Sequence, residues 1–306
     1  MVQGLHPVPS QNGRFLFLKV KILKGLLLAG TFALTLIKLP IVSITAYIVF
    51  IVLLVRFIKS PTVLRILSFF LLIYLLELIT SLELIPSYIL PSPAQIGNVI
   101  ISQRDVILPN LISTLEITFA GFALSIVFGI VFALIMHLVK PVEALIYPIA
   151  VISQSTPTIA IAPLIILWFG FGSFSKIGVV IWATFFPITV NTLLGLRTVD
   201  PDMVDVLTAL GAKRLDIFRY VILPHTLSYI ITGIEITSPY AILGALTAEW
   251  MGTTEGMGLY IRRSFSSFRL DQVFAGTIII IIFSLLMWGG ATLLRQRFTR
   301  YMGGNK

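Results

Sequence analysis

The sequence predicts an all-α, polytopic membrane protein of about eight transmembrane helices. Three observations carry this. Of 306 residues, 57% are hydrophobic and only 11% are charged, against about 25% charged in soluble domains. Apolar runs of the length needed to cross a bilayer recur along the chain, at about 20 residues per crossing. Finally, a backbone in hydrocarbon must satisfy its own hydrogen bonds, so such runs are helices.

The clearest runs are 66–85, 117–136, 144–169, 177–196, 227–248 and 272–294. The stretch from Ala144 to Ser175 is free of charge, and Gly170, Gly172 and Ser173 end its helix in a short external turn. Ahead of these, 39–55 is long enough to cross, and 25–37 crosses if Lys21 and Lys24 snorkel to the interface. Lys38, Leu39 and Pro40 form the turn between them. The basic-then-apolar segment from Lys19 to Leu36 resembles a signal peptide, but no small-x-small cleavage site ends it, so it is expected to be retained.

The net charge of +9 reads as topology rather than nucleic-acid binding. With the C-terminal tail inside and eight crossings, most of the 22 Lys and Arg fall on inner segments, and only Lys38, Arg104, Lys176, Arg262, Arg263 and Arg269 fall outside. Positive charge collects on cytoplasmic loops, so both termini are predicted cytoplasmic. The chain has no cysteine, and its three histidines show no metal-ligand spacing. No cofactor, metal site or catalytic constellation is expected. A Gly-x4-Gly-Lys-Ser/Thr phosphate loop is also missing, so the chain is predicted neither to bind nor to hydrolyse ATP itself.

The most polar stretch lies between the sixth and seventh predicted helices. Asp200 suits an N-cap with Pro201 at the first helical position. Val204, Leu207 and Leu210 repeat on one face, and Gly211 suits the left-handed residue that closes a short helix. A second segment from Lys213 sets Leu215, Phe218 and Ile222 on one face, and Pro224 marks the restart toward the membrane. Such a helix–turn–helix offers its apolar stripe either to lipid headgroups or to a partner protein.

The spacing Asp205-x5-Gly211-x9-Val221-x-Leu223-Pro224 resembles the EAA loop of binding-protein-dependent ABC importer permeases, whose pattern is Glu-Ala-Ala, three residues, Gly, nine residues, Ile-x-Leu-Pro. Here Asp205, Val206 and Leu207 stand at the triplet, so the acid is kept and both small residues are replaced. Leu90-Pro-Ser-Pro, Pro157 to Leu164, Trp168-Phe-Gly-Phe-Gly172, and Ala248-Glu249-Trp250 followed by Gly256-Met-Gly258 are similar to the nitrate/sulfonate/taurine/bicarbonate-type subfamily. The Ala248–Trp250 stretch also looks like members that carry thiamine-pyrimidine or riboflavin precursors.

The resemblance implies a type I importer fold: a six-helix transport domain over 61–298 with a coupling loop at 197–226, an N-terminal extension of two helices over 1–60, and a basic tail over 299–306. It implies a multi-pass permease in a bacterial plasma or inner membrane, working as a homodimer with an ABC ATPase subunit dimer and an extracytoplasmic substrate-binding protein. In the loop, Asp202, Asp205, Lys213 and Arg214 would orient the docked helix. Leu207, Leu210, Leu215 and Phe218 would bury apolar area, with Gly211, Leu223 and Pro224 shaping the turn and the return.

Polar residues and prolines at membrane depth mark either a pathway or interhelical hydrogen-bond glue. The candidates are Ser153, Gln154, Thr156 and Pro157 on the fifth helix, Asn191 on the sixth, and Glu235 and Ser238 on the seventh. Glu77, Glu116 and Glu235 have no Lys or Arg at matching depth in their own helices, so their partners must come from elsewhere. Glu249, at the outer end of the seventh helix, is a gate or an interface residue. The segment from Trp250 to Asp271 contacts a binding protein or anchors at the interface.

The expected cargo is a small organic or heterocyclic nutrient, because the membrane interior offers carboxylates rather than Arg or Lys. An oxyanion such as nitrate, a sulfonate or bicarbonate is the alternative, and a nucleotide-independent secondary transporter is another.

Overall fold

A computed structural model describes residues 24–33, 35, 40–57 and 60–301, and every regular element among them is a helix. These residues form two compact units, which divide between Gly97 and Asn98.

In the first unit, α1 (Lys24–Ala33), α2 (Pro40–Phe57) and α3 (Pro61–Ser81) are joined by aromatic residues. The rings of Phe32 and Tyr47 each lie within 6 Å of Tyr74, at 5.7 and 5.9 Å. The Tyr74 hydroxyl shares a 2.6 Å hydrogen bond with Thr35. Parts of the predicted crossings 25–37 and 39–55 lie outside the described residues. Leu90-Pro-Ser-Pro opens α4 (Pro93–Ser102), a helix the apolar pattern did not predict. Ser92 and Gln95 cap it reciprocally at 3.0 and 3.2 Å. The partner that Glu77 requires is also here: its carboxylate accepts from the Ala94 N–H at 3.0 Å.

In the second unit, α5 (Arg104–Leu138), α8 (Ser173–Arg197), the helical run Arg214–Met251 and Leu270–Phe298 are long and apolar enough to cross a membrane. The expected single helix over 144–169 is instead α6 (Lys140–Ser155) and α7 (Thr158–Phe169), bent by 113°. Proline is the cause. A residue preceding proline is driven out of the helical region, and Thr156, before Pro157, sits at φ −89° and ψ 121°. Among the described residues there are thus four spans, or five if the bent pair is one crossing, plus the shorter apolar helices Lys24–Ala33 and Leu67–Ser81.

Pro224 does not break the chain as expected. From α10 (Arg214–Ile217) the helix continues through a π-turn (Phe218–Ile222) into α11 (Leu223–Met251). The Leu223 N–H reaches back to the Phe218 carbonyl. One extra residue in that turn accommodates the proline, which has no N–H to give. Two more helices follow, the short α12 (Met257–Ser266), not predicted from the apolar pattern, and α13 (Leu270–Tyr301).

The core is α8 laid against α5 and α11. Lipid gives helices no hydrophobic reason to associate, so small residues that admit close backbones replace it. A Cβ at Gly121 of α5 would stand 2.6 Å from Val180 Cβ, and one at Gly244 of α11 would stand 3.2 Å from Val180 Cα. Between α5 and α8, Thr184 and Ser125 share a buried 2.6 Å hydrogen bond.

Candidate functional site

The polar loop folds as a capped helix–turn–helix lever. Asp200 caps α9 (Pro201–Ala209) by accepting from the Asp202 N–H at 3.0 Å, with Pro201 at the first helical position. The helix ends in a Schellman motif: Ala212 N–H to Leu207 O and Gly211 N–H to Thr208 O, both at 3.0 Å, around Gly211 at φ +83°. Asp216 then accepts from the Lys213 N–H at 3.3 Å, starting α10. At the base, Thr198 Oγ1 and His225 Nε2 close the loop at 3.1 Å.

Space around Gly211 is open, so replacing it strains only the backbone. Gly211→Ala should cost about 1–2 kcal/mol locally and reduce ATP-driven uptake, and Gly211→Asn should recover part of that loss. Equal uptake by all three proteins would show that the turn is irrelevant.

The exposed stripe differs from the expected one. Val204 and Leu207 are half-buried, and Phe218 likewise, with Ile217 buried beside it. Leu210 is 78% exposed and Leu215 73%. Met203 and Val206 share the Leu210 face and are also exposed. Asp202, Asp205, Lys213 and Arg214 are exposed, while Leu223 is exposed and Pro224 half-buried at the return. The outward apolar surface is therefore Met203, Val206, Leu210 and Leu215.

A cluster of charges fixes the root of the lever. Glu143, at the start of α6, is buried and pairs with both Arg197, the last residue of α8, and Lys140. The Arg197 guanidinium lies 5.4 Å above the Tyr147 ring.

The second feature is a cavity of about 390 Å³ at the α6–α7 break. Of the predicted pathway residues, Ser153, Gln154, Thr156 and Pro157 line it. Facing them are Trp182, Phe186, Thr237 and Tyr240 from α8 and α11, and no charged side chain is among the lining residues. Trp182 and Phe186 meet edge to face with centroids 5.5 Å apart.

Asn191, Glu235, Ser238 and Glu249 lie outside that cavity. Asn191 donates to the Pro187 carbonyl at 2.9 Å, and Ser238 to the Glu235 carbonyl at 3.0 Å. Glu235 finds its cation on α13: Arg295 Nε stands 2.7 Å from Oε2, and the Thr292 hydroxyl donates to Oε1 at 2.7 Å. Glu249 is wholly enclosed and holds α12. Its Oε2 accepts from the Gly258 N–H and its Oε1 from the Thr114 hydroxyl, both at 2.7 Å. Thr114 and Asn110 in turn accept from the Met257 and Gly256 N–H groups at 2.8 Å. The free N–H groups of that helix start are thus taken up by side chains of α5 and α11.

The model of the binding-protein-dependent transport system inner membrane component matches residues 125–300, a stretch holding the lever, the cavity and all of α6 to α12. The chain belongs to this family. As a permease, it is similar to the formylaminopyrimidine transport permease protein ThiX of Halalkalibacterium halodurans, at 38% identity over 71% of this chain and 88% of that one. The putative aliphatic sulfonates transport permease protein SsuC of Bacillus subtilis is 30% identical over 74% of this chain and 82% of its own. The fold is similar to that of a chain of the MetNI methionine ABC transporter in inward-facing conformations, with a TM-score of 0.56 at 16% identity, covering 65% of this chain and 98% of that one. The permease is a membrane-spanning transport subunit of an ABC importer; ATP hydrolysis belongs to a separate subunit.

Sequence reasoning missed several residues that organise this permease. Nothing local connects Glu143 to Arg197, which are far apart in the chain. Asn110 and Thr114 had a weak signal, two polar residues one helical turn apart in an apolar run. Lys176, expected on the outer side, is buried and donates to the Thr253 hydroxyl at 2.6 Å, a contact the sequence pattern does not reveal.

Proposed function

We propose that this permease imports a small, flat, uncharged heterocyclic nutrient through the cavity at the α6–α7 break. The supporting observation is the lining. Aromatic faces from Trp182, Phe186 and Tyr240, with uncharged hydrogen-bonding groups from Gln154, Thr156 and Thr237, suit a planar ring bearing amide or amine groups. A bare oxyanion would find no cation among the lining residues, only the start of α7 at Thr158. The likeness to a formylaminopyrimidine permease points the same way. The sulfonate relative favours an oxyanion instead. Uptake into proteoliposomes separates the two: competition by aminopyrimidines and not by sulfonates supports the heterocycle, and the reverse pattern overturns it.

In this proposal 61–298 is the transport domain, 1–60 an N-terminal extension and 299–306 a basic tail. Two copies pair between two ATPase subunits, both termini face the cytoplasm, and an extracytoplasmic binding protein delivers the cargo. The loop at 197–226 docks on the ATPase through Met203, Val206, Leu210 and Leu215, oriented by Asp202, Asp205, Lys213 and Arg214. Replacing Leu210 by Asp sets a charge in that contact and should weaken ATPase capture by more than about tenfold, or about 1.4 kcal/mol, at unchanged membrane level. Wild-type capture by L210D would remove the docking surface. Since the chain has no cysteine, a single cysteine at position 211 also tests orientation, and labelling from outside intact cells would reverse it.

A further inference from the structure

At the end of α11 remote from the lever, where the starts of α5 and α13 meet α12, the chain forms a second, polar cleft of about 490 Å³. Arg263 and Arg269 are among its lining residues. The Gln272 amide, itself buried, lies 2.9 and 3.0 Å from two nitrogens of Arg269 and 3.0 Å from Ser264 Oγ. With its carbonyl oxygen turned to the guanidinium, Gln272 accepts from Arg269 and gives an N–H to Ser264. Deeper in, the Tyr260 hydroxyl donates to Gln103 Oε1 at 2.9 Å. Neither arginine forms an ion pair among the described residues, whose pairs are Arg104–Asp105, Lys140–Glu143, Arg197–Glu143 and Arg295–Glu235. A guanidinium held by a buried amide, with Arg263 lining the same cleft, offers N–H donors that suit a carboxylate, and Asp271 nearby forms no ion pair with either arginine.

The turn beside the cleft supplies the second observation. After α12 the chain makes a Schellman closure, with Phe268 N–H to Phe265 O at 3.0 Å and Arg269 N–H to Ser264 O at 2.9 Å. The left-handed position in that closure is one that glycine normally takes. Here it is Phe268, at φ +55° and 87% exposed. A bulky ring in that conformation costs backbone energy and gains nothing from water, so the strain points to contact with something else. Phe265, exposed on the same turn, enlarges the apolar patch. An exposed aromatic anchor in the turn before Arg269, with Arg263 lining the same cleft, has the composition of a protein-binding hot spot.

We infer that this cleft receives an acidic side chain of the substrate-delivering binding protein, with Phe268 seated in an apolar depression beside it. The inference rests on the proposed function, in which that protein delivers the cargo from the side opposite the lever. It adds the chemistry of the contact: a carboxylate between Arg263 and Arg269, flanked by an aromatic anchor.

The test is the complete transporter in proteoliposomes, with ATPase activity titrated by its cognate binding protein at several salt concentrations. Arg269→Glu should raise the half-stimulating concentration by more than tenfold, with the maximal rate kept and the salt dependence flattened. Arg269→Gln should give a smaller rise. Phe268→Gly should raise it too, while leaving thermal stability equal or higher, which separates lost contact from lost fold. An unchanged half-stimulating concentration in R269E and F268G overturns the inference. So does a shift that follows the anionic-lipid content of the vesicles rather than the binding-protein concentration, since the cleft then serves a headgroup. A wild-type transporter that its binding protein does not stimulate overturns the proposed function itself.

Discussion

Replacing Glu249 by alanine should lower the thermal midpoint of the purified permease by roughly 10 °C, taking 2–4 °C per kcal/mol as the scale. The carboxylate has no exposed surface and makes two hydrogen bonds at 2.7 Å. The Thr114 hydroxyl can fall back on the Asn110 carbonyl at 3.1 Å. The Gly258 N–H has no such alternative, and leaving a buried donor unpaired costs about 1–3 kcal/mol. Lys176, itself buried, also loses the favourable pull of that carboxylate. The emptied side-chain volume adds a cavity cost, large-to-small changes in a core costing about 2–5 kcal/mol.

Glu249→Gln keeps one acceptor for Gly258 and should fall between wild type and E249A. Gly256→Ala should be as harmful as E249A: its Cβ would stand 2.4 Å from the carboxylate, on a backbone at φ +122°. Equal midpoints for wild type, E249A and E249Q in detergent would show that α12 is held by other means.

A valine at Gly195 should abolish most coupled transport. Here α8 and α11 come closest to the lever: a Cβ at 195 would meet Tyr229 Cβ at 2.8 Å and the Thr226 Cα at 3.1 Å. Backbone cannot swing aside as a flexible side chain does, so the helices must part, and overpacking of this kind costs about 1–3 kcal/mol. Parting them pulls on the Thr198–His225 closure and on Arg197, which anchors α8 to Glu143. The lever then moves without driving the helices behind it. ATP-driven uptake per ATP hydrolysed, in proteoliposomes, is the readout. Tight coupling in G195V would mean the α8–α11 contact does not transmit the stroke.

What the sequence alone carried follows short-range rules. Apolar runs located the spans because hydrocarbon tolerates only internally bonded backbone. Asp200, Pro201 and Gly211 marked the ends of α9 because capping depends on a few neighbouring residues, and the Gly-to-Leu-Pro spacing pointed to the family for a similar reason. The same rules failed where two local effects compete. Pro157 turned one expected crossing into a 113° elbow, while Pro224, which looked like a break, is absorbed by a π-turn. Both are prolines in apolar surroundings; whether a helix bends or adds a residue depends on the neighbours that pack against the site.

Only the tertiary structure decided the partners of the acidic side chains: Glu77 with the Ala94 N–H, Glu143 with Arg197, Glu235 with Arg295, and Glu249 with α12. It likewise decided that Ser153, Gln154, Thr156 and Pro157 open onto a cavity while Asn191, Ser238 and Glu249 do not. A charge in a low-dielectric interior must be matched at contact distance, and that match is made between helices distant in the chain. The pattern along one helix shows that a partner is required; the packing of helix on helix selects which.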